Sequence, residues 1–450
     1  MAAANVVIVG GGPAGLLLAH YLLQRGDAYT AELHEARPDL RTESIAARNR
    51  QYAIGLSERG RNAIQGVEGL WPLVQKEGAE ISRFVLHFGK REQNLKRRAD
   101  KPSLLINRSQ LAATLLAELE RRHGPKRLKL HFNSRCLGAD FAARTASFSA
   151  SEKCPYDLLV GADGVRSAVR LEFLKRREFD YQQRSVDNAW KVLHVPRPPG
   201  IAVDAVHNYR FQRPGQSGGG PFGLFAKRDP TQGDVFALAI PTNDGGLSVL
   251  ISWDPKKPPR DFLAIERTDE MSAFLERLIP GITVSPEAAE DFLKQRASGY
   301  MQVRCSRYHD SAGRAILIGD AAHANSSALG QGANSSLQDV VALDRILSES
   351  RDDIDAALPR YSELMVPEGQ ALAELTDNFF PRSRALAAVS IARQLALTQI
   401  SNWFPNRVYP PIQSLTSETL MPYSEIARIN RRWLNTVRMS NEKLKMEGLQ

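Results

Sequence analysis

The sequence predicts an α/β fold: a Rossmann-like dinucleotide-binding domain interleaved with an antiparallel-sheet substrate domain, followed by a helical C-terminal region. Three observations predict it. VVIVGGGPAGLLLAHYL from Val6 sets a glycine turn between an apolar strand and a leucine-rich helix, the opening of a βαβ dinucleotide site. From about Asp180 to Gln302 the apolar runs alternate and are β-branched or aromatic, as in DVFALAIPT and LSVLISW around the turn NDGG at Asn243 to Gly246. From Gly332 onward the pattern is helical, with a break near NWFPNRVYPPIQ. The dinucleotide-binding domain is thus expected in 1–75, 101–179 and 303–365, the sheet domain in 76–100 and 180–302, and the helical region in 366–450.

The elements follow in order. Asn5 to Val9 is a buried parallel strand, Gly10 to Gly15 a tight turn and Pro13 to Arg25 a helix; the strand TAELHEA then ends at Glu35. YAIGLSERGRNAI predicts a short strand running into a helix, and RFVLHFGK with PSLLINRSQLAATLLAELERR predicts two strands and a helix around a basic hairpin. YDLLVGADGVRSAVR, Tyr156 to Arg170, is a strand followed by Asp163-Gly164 and a basic helix start. RPGQSGGGPFG from Arg213 has the composition of a loop, and a basic last helix begins around Tyr423.

At 450 residues the chain has room for two or three domains and a large core, and a formal net charge of +9 predicts a basic surface. That charge is read as a general surface property, with no nucleic-acid partner. Cys136, Cys154 and Cys305 are few, odd in number and without paired metal spacing, which predicts a reducing compartment and no metal centre. The first strand begins almost directly after Met1, so no signal peptide is expected. ALAAVSIARQLALTQISNWF from Ala385 is interrupted by Arg393 and Gln394 and is too polar to span a bilayer. A cytoplasmic chain is expected, and peripheral membrane contact through the basic C-terminal helix stays open.

Gly10, Gly12 and Gly15 let the backbone turn sharply and approach a pyrophosphate, whose charge then rests on the free amides of a helix start. Glu35 closes the next strand, where a carboxylate accepts ribose hydroxyls and disfavours a 2'-phosphate, so FAD or NAD is expected at this turn. ILIGDAAHANSSALGQGANSSLQDVVAL from Ile316 decides between them. Asp320 follows a strand as an acceptor for a ribitol hydroxyl, and Gly330, Gly332, Ala333 and Asn334 open a second helix whose positive end suits the pyrimidine edge of a reduced flavin. Two turns serve two ends of one long cofactor, FAD.

The three glycine-acid stretches, in this order, resemble the FAD-dependent aromatic hydroxylases, the single-component flavoprotein monooxygenases, over most of the first 350 residues. RNRQYAIGLSERGRNAI, INRSQL, FDYQQ, VRCSRYH and RRW are most similar to the kynurenine 3-monooxygenase branch. The resemblance implies NADPH or NADH as co-substrate, O2 as oxidant, a flavin C4a-hydroperoxide, and a small aromatic substrate that is carboxylate-bearing and kynurenine-like. It implies that Arg37, Arg50 and Arg108 approach FAD, that Asp163 lies near FAD and the incoming nicotinamide, and that Arg83 in SRFVLH pairs with the substrate carboxylate. Lys96 stands where the branch has a tyrosine assisting that carboxylate, and Asn378 and Gln413 stand for its C-terminal asparagine and tyrosine.

Ser327 replaces the proline usual beside the flavin's reactive edge. His323 is read as structural, satisfying a loop carbonyl, and no residue is assigned as a covalent catalyst. Two alternatives remain at this point: a flavin reductase or dehydrogenase acting on a quinone or isoprenoid, favoured by Ser327, and a non-catalytic FAD-binding module.

Overall fold

Two large sheets face each other across the site. The computed structural model describes residues 3–42, 52–88, 91–96, 102–211 and 233–446. Six strands form the first sheet, in the order His309–Asp310, Ala315–Leu317, Leu158–Gly161, Ala4–Val9, Tyr29–His34 and Leu128–His131. All pairs are parallel except the edge pair of His309–Asp310 with Ala315–Leu317. Parallel strands covered on both faces read as unbroken apolar runs, and Val6, Val7 and Ile8 are fully buried. The helix Pro13–Leu23, buried from Gly15 to Leu23, begins at the carboxyl end of the central strand.

The second sheet has seven strands, in the order Ser298–Cys305, Tyr181–Pro196, Gly246–Trp253, Val235–Pro241, Ala205–Arg210, Arg83–Phe88 and Arg91–Lys96. One pair in it, Ala205–Arg210 with Arg83–Phe88, is parallel. Alternation along each strand separates two faces. Ala237, Ala239, Val249 and Ile251 pack with Phe262, Phe274 and Phe292. Those phenylalanines come from the helices Arg260–Leu263, Thr268–Leu278 and Pro286–Lys294, where sequence reading expected only sheet. The departure has a simple cause: this sheet is apolar on both faces, and the face turned from the site needs cover. The intervening residues Val206, Leu238, Ile240 and Leu250 line the cavity.

The chain ends in helices Ile354–Asp377, Arg384–Trp403, Ile412–Glu418, Tyr423–Ile429 and Arg431–Met446, with the expected break after Trp403. The last expected helix is divided at Asn430, and its second part buries Leu434 and Val437. Among the described residues no helix is long and apolar enough to cross a membrane. The loop expected from Arg213 lies outside the described residues.

Candidate active site

The first turn is shaped by contacts that only glycine permits. Gly10 has φ +111°, and a Cβ there would lie 2.4 Å from the Ala162 carbonyl oxygen. A Cβ on Gly15 would lie 2.2 Å from the Gly10 carbonyl oxygen. Gly12 caps the helix in an extended conformation with no side-chain cap, which leaves the first amides free for an anion. Arg108, the first residue of the helix Arg108–Arg122, brings Nη2 to 3.7 Å from the position a Gly12 Cβ would take. Gly12 and Arg108 both line a cavity of about 430 Å³.

Glu35 is held just behind this turn and does not line the cavity. Its Oε2 accepts from the Gly11 amide at 2.8 Å, and its Oε1 accepts from the Arg37 amide at 2.9 Å and from Arg37 Nε at 3.0 Å. Burial works against the charge, but the Arg37 guanidinium and these hydrogen bonds outweigh it and hold the carboxyl below the ordinary value. Arg37 therefore acts first on Glu35. Arg50 lies outside the described residues.

The second turn lines the same cavity and packs beside the first: a Cβ on Gly319 would lie 3.7 Å from Ala14 Cβ. Gly319 has φ +61° and Gly330 φ +63°. Asp320, Gly330, Gly332 and Ala333 all line the cavity. The helix Gly332–Glu349 starts, like the first, without a side-chain cap. Asn334 is corrected to a buried tie: its Oδ1 accepts from the Ser57 amide at 2.9 Å, and its Nδ2 donates to the Gly55 carbonyl at 2.8 Å. His323 is structural, but its partner is a carboxylate and not a loop carbonyl. Its Nε2 lies 2.7 Å from Asp339 Oδ2, which also accepts from the Gly319 amide at 2.6 Å. Burial alone would lower the His323 pKa; Asp339 and then Asp320 raise it above the ordinary value.

Asp163 does not itself line the cavity, and its Oδ1 is buried without a partner. Its neighbours Ala162 and Gly164 line the cavity, while its own Oδ2 accepts from the Ala168 amide at 2.6 Å. Burial raises its pKa, against hydrogen bonds from Ser167 and the helix amides. Arg170, which sequence reading left unremarked, donates to the Ala321 carbonyl at 2.8 Å and the Val165 carbonyl at 2.7 Å, stapling the two acid-glycine turns together.

The substrate set fares differently. Arg83 neighbours the cavity-lining Phe84 on its strand, so its side chain leaves from the opposite face. There Nη2 pairs with Asp204 Oδ1 at 2.8 Å. Lys96 is registered opposite Arg83 on the adjoining strand. Asn378 ends the helix Ile354–Asp377, buried, with Nδ2 donating to the Glu374 carbonyl at 2.9 Å, and does not line the cavity; Gln413 does. Sequence reading missed the chamber's aromatic wall. Tyr52 meets Trp190 edge-on with ring centroids 5.4 Å apart, and Trp190 lies 5.7 Å from Tyr300. Ser327, also at the cavity, hydrogen-bonds the Tyr300 hydroxyl. No periodicity marks such residues, because they come from three distant strands or loops.

Two uncapped helix starts lining one cavity, a guanidinium at one of them and an acidic acceptor at the other, fit an elongated, anionic dinucleotide. The comparisons agree. The family model described as FAD binding domain matches residues 3–374. Kynurenine 3-monooxygenase of Salinispora arenicola is 30% identical over 95% of this chain and 91% of its own length, and that of Anopheles gambiae 26% identical over 96% and 85%. In fold, the chain is similar to 2-methyl-3-hydroxypyridine-5-carboxylic acid oxygenase, with TM-score 0.63, 21% identity and coverage of 95% and 96%. A variant of Klebsiella pneumoniae HpxO complexed with FAD gives TM-score 0.61 at 18% identity, covering 97% of this chain and 98% of that one.

Proposed function

The chain belongs to the FAD binding domain family and is an FAD-dependent monooxygenase of the kynurenine 3-monooxygenase type; from that premise we propose that it uses NAD(P)H and O2 to hydroxylate an aromatic, carboxylate-bearing, kynurenine-like substrate. One observation carries the reading: the chamber walled by Tyr52, Trp190, Tyr300, Leu238 and Leu250 is continuous with the space between the two glycine turns. FAD held by the two glycine turns, Arg108 and Asp320 would supply the redox chemistry between NAD(P)H, O2 and the ring. The chain's residues bind, orient and enclose. The apolar wall excludes water and stacks the ring, while Gln413 and Ser248 offer hydrogen bonds to its polar groups. Anaerobic reduction of the yellow protein with a panel of aromatic carboxylates tests this. A kynurenine-like acid should speed flavin bleaching by NAD(P)H, and a panel in which no aromatic acid changes the rate or yields hydroxylated product sinks the reading.

Asp320→Ala should weaken FAD by about 1–3 kcal/mol, the worth of a hydrogen bond to a charged acceptor. Equilibrium dialysis measures it, and unchanged retention would move the ribitol contact elsewhere. Arg83→Met should leave FAD content intact and KM for an aromatic carboxylate within about fivefold, since a partly exposed ion pair is worth about 0–1 kcal/mol. A much larger rise in KM would mean that Arg83 leaves Asp204 to meet the substrate.

Ser327 supports a second reading, reduction without oxygen insertion. Its hydroxyl bonds Tyr300 beside the cavity in place of a proline that would stiffen the loop. Ser326 before it is extended, at φ −67° and ψ 156°, and Ser327 opens a short helical turn, so proline fits this backbone. The parent should release hydrogen peroxide alongside product, and Ser327→Pro should release less per NAD(P)H consumed. Full coupling in the parent removes the argument; peroxide alone with every aromatic acid favours the reductase.

A further inference from the structure

Behind the first turn, away from the cavity, lies a group of ligand-type side chains that the flavin reading does not use. Glu32 and His34 leave the same face of the strand Tyr29–His34, two residues apart, and His131 is registered beside His34 on the parallel edge strand Leu128–His131. Glu32 Oε1 lies 3.4 Å from His34 Nε2 and 3.0 Å from His131 Nε2. Apart from Glu32, neither Nε2 has a partner, and His34 is 1% exposed. One ligand atom from each of the three lies within 4.8 Å of the other two. The buried Cys154 thiol hydrogen-bonds the Glu32 carboxylate.

The surroundings orient these groups as a metal site does. His34 Nδ1 meets Ser134 Oγ at 2.9 Å, the outer-shell bond that fixes a ligating imidazole. Phe148 and His131 both stack on the His34 ring, at centroid distances of 3.5 Å and 4.4 Å. A tetrahedral zinc with bonds of about 2.0–2.3 Å holds its ligand atoms roughly 3.3–3.7 Å apart, so closing the set requires the partly exposed His131 ring, now stacked at 11° to His34, to turn toward the shared centre.

We propose that Glu32, His34 and His131, with Cys154 beside them, bind one divalent transition-metal ion of the zinc class. Two imidazoles and a carboxylate are a zinc donor set with a fourth position left open, and the Cys154 thiol stands outside the cluster of three ligand atoms. Lys129 Nζ, 3.6 Å from Glu32 Oε2 on a 63% exposed side chain, is the cation the metal displaces. The spacing of the cysteines could not announce this site, because its ligand atoms come from a carboxylate and two histidines that stand on different strands. None of the four residues lines the FAD cavity. The ion would instead tie the Tyr29–His34 strand, whose next residue is Glu35, to the small sheet that carries Phe148 and Cys154.

The test uses FAD-loaded protein stripped with a chelator, desalted and titrated calorimetrically with zinc chloride. One ion should bind per chain and raise Tm. His131→Gln and Glu32→Gln should each weaken binding by about 10–100-fold or more and abolish the Tm rise, with flavin content unchanged. His131 is partly exposed, so its replacement leaves the core intact. Absence of stoichiometric binding in the parent, or equal binding in both variants, would overturn the site and leave Glu32, Lys129 and the histidines as a polar cluster closed on itself.

Discussion

Gly15→Ala should purify with little FAD while keeping its far-ultraviolet dichroism. The added methyl would sit 2.2 Å from the Gly10 carbonyl oxygen, 3.2 Å from Ile8 Cγ2 and 3.3 Å from Ala162 Cβ. The first of these is backbone, so no rotamer relieves it. The turn must move away from the helix, yet Gly10 is itself fixed at φ +111° and donates to the His34 carbonyl at 2.8 Å. Overpacking of this kind costs about 1–3 kcal/mol. The cost falls on the amides that receive the pyrophosphate, so FAD should weaken roughly 10–100-fold. Flavin absorbance per chain after gel filtration reads this directly. A variant holding one FAD per chain would show that the turn tolerates displacement and that the helix start is not the anchor.

That prediction rests on a feature legible in the sequence, and the reason is physical. A glycine turn between an apolar strand and a helix is specified by adjacent residues, so Gly10, Gly12, Gly15, Gly330 and Gly332 could be placed by local pattern. Asp320 was legible from its place at the end of a strand and Arg108 by resemblance, and both line the cavity. Legibility ends where function depends on which face of a strand a side chain takes. Arg83 is one residue from Phe84, but only the pairing of its strand with Ala205–Arg210, across more than a hundred residues, decides which of the two meets the cavity. The alternation is visible in the sequence; its phase is not. Asn334 and Asp163 show a second limit. Both stand in the right loops, but the Asn334 side-chain amide is taken by backbone groups of Ser57 and Gly55, and Asp163 Oδ2 by the Ala168 amide, which leaves Asp163 Oδ1 buried and unpaired. Arg170 and Asp339 were missed because a buried charge inside a helix has no sequence signature apart from its partner.

Asp339→Asn should be the most destabilising single change near the site, at about 3–5 kcal/mol, the cost of leaving a buried charge without its partner. Asp339 is 0% exposed and His323 is 4% exposed. Together they bridge the helix Gly332–Glu349 to the Gly319 amide, so the loss also frees the turn that presents Asp320. The pH dependence supplies a signature that simple mispacking lacks. The His323 pKa is raised in the folded chain above the ordinary histidine value of 6.5. A raised histidine contributes stability that is fully present below the unfolded value and is lost as pH rises through the folded value. The parent should therefore lose part of its stability as pH climbs above about 6.5, while Asp339→Asn, without the pair, should lose much less over the same range. Denaturant midpoints across that range give both curves, and the gap between them should narrow with rising pH. A gap that stays constant would mean that His323 is neutral throughout and that Asp339 acts only as an acceptor for Gly319. Neutral pairing would still hold the second turn, but it would remove the proton from the account of how this loop keeps Asp320 at the cavity wall.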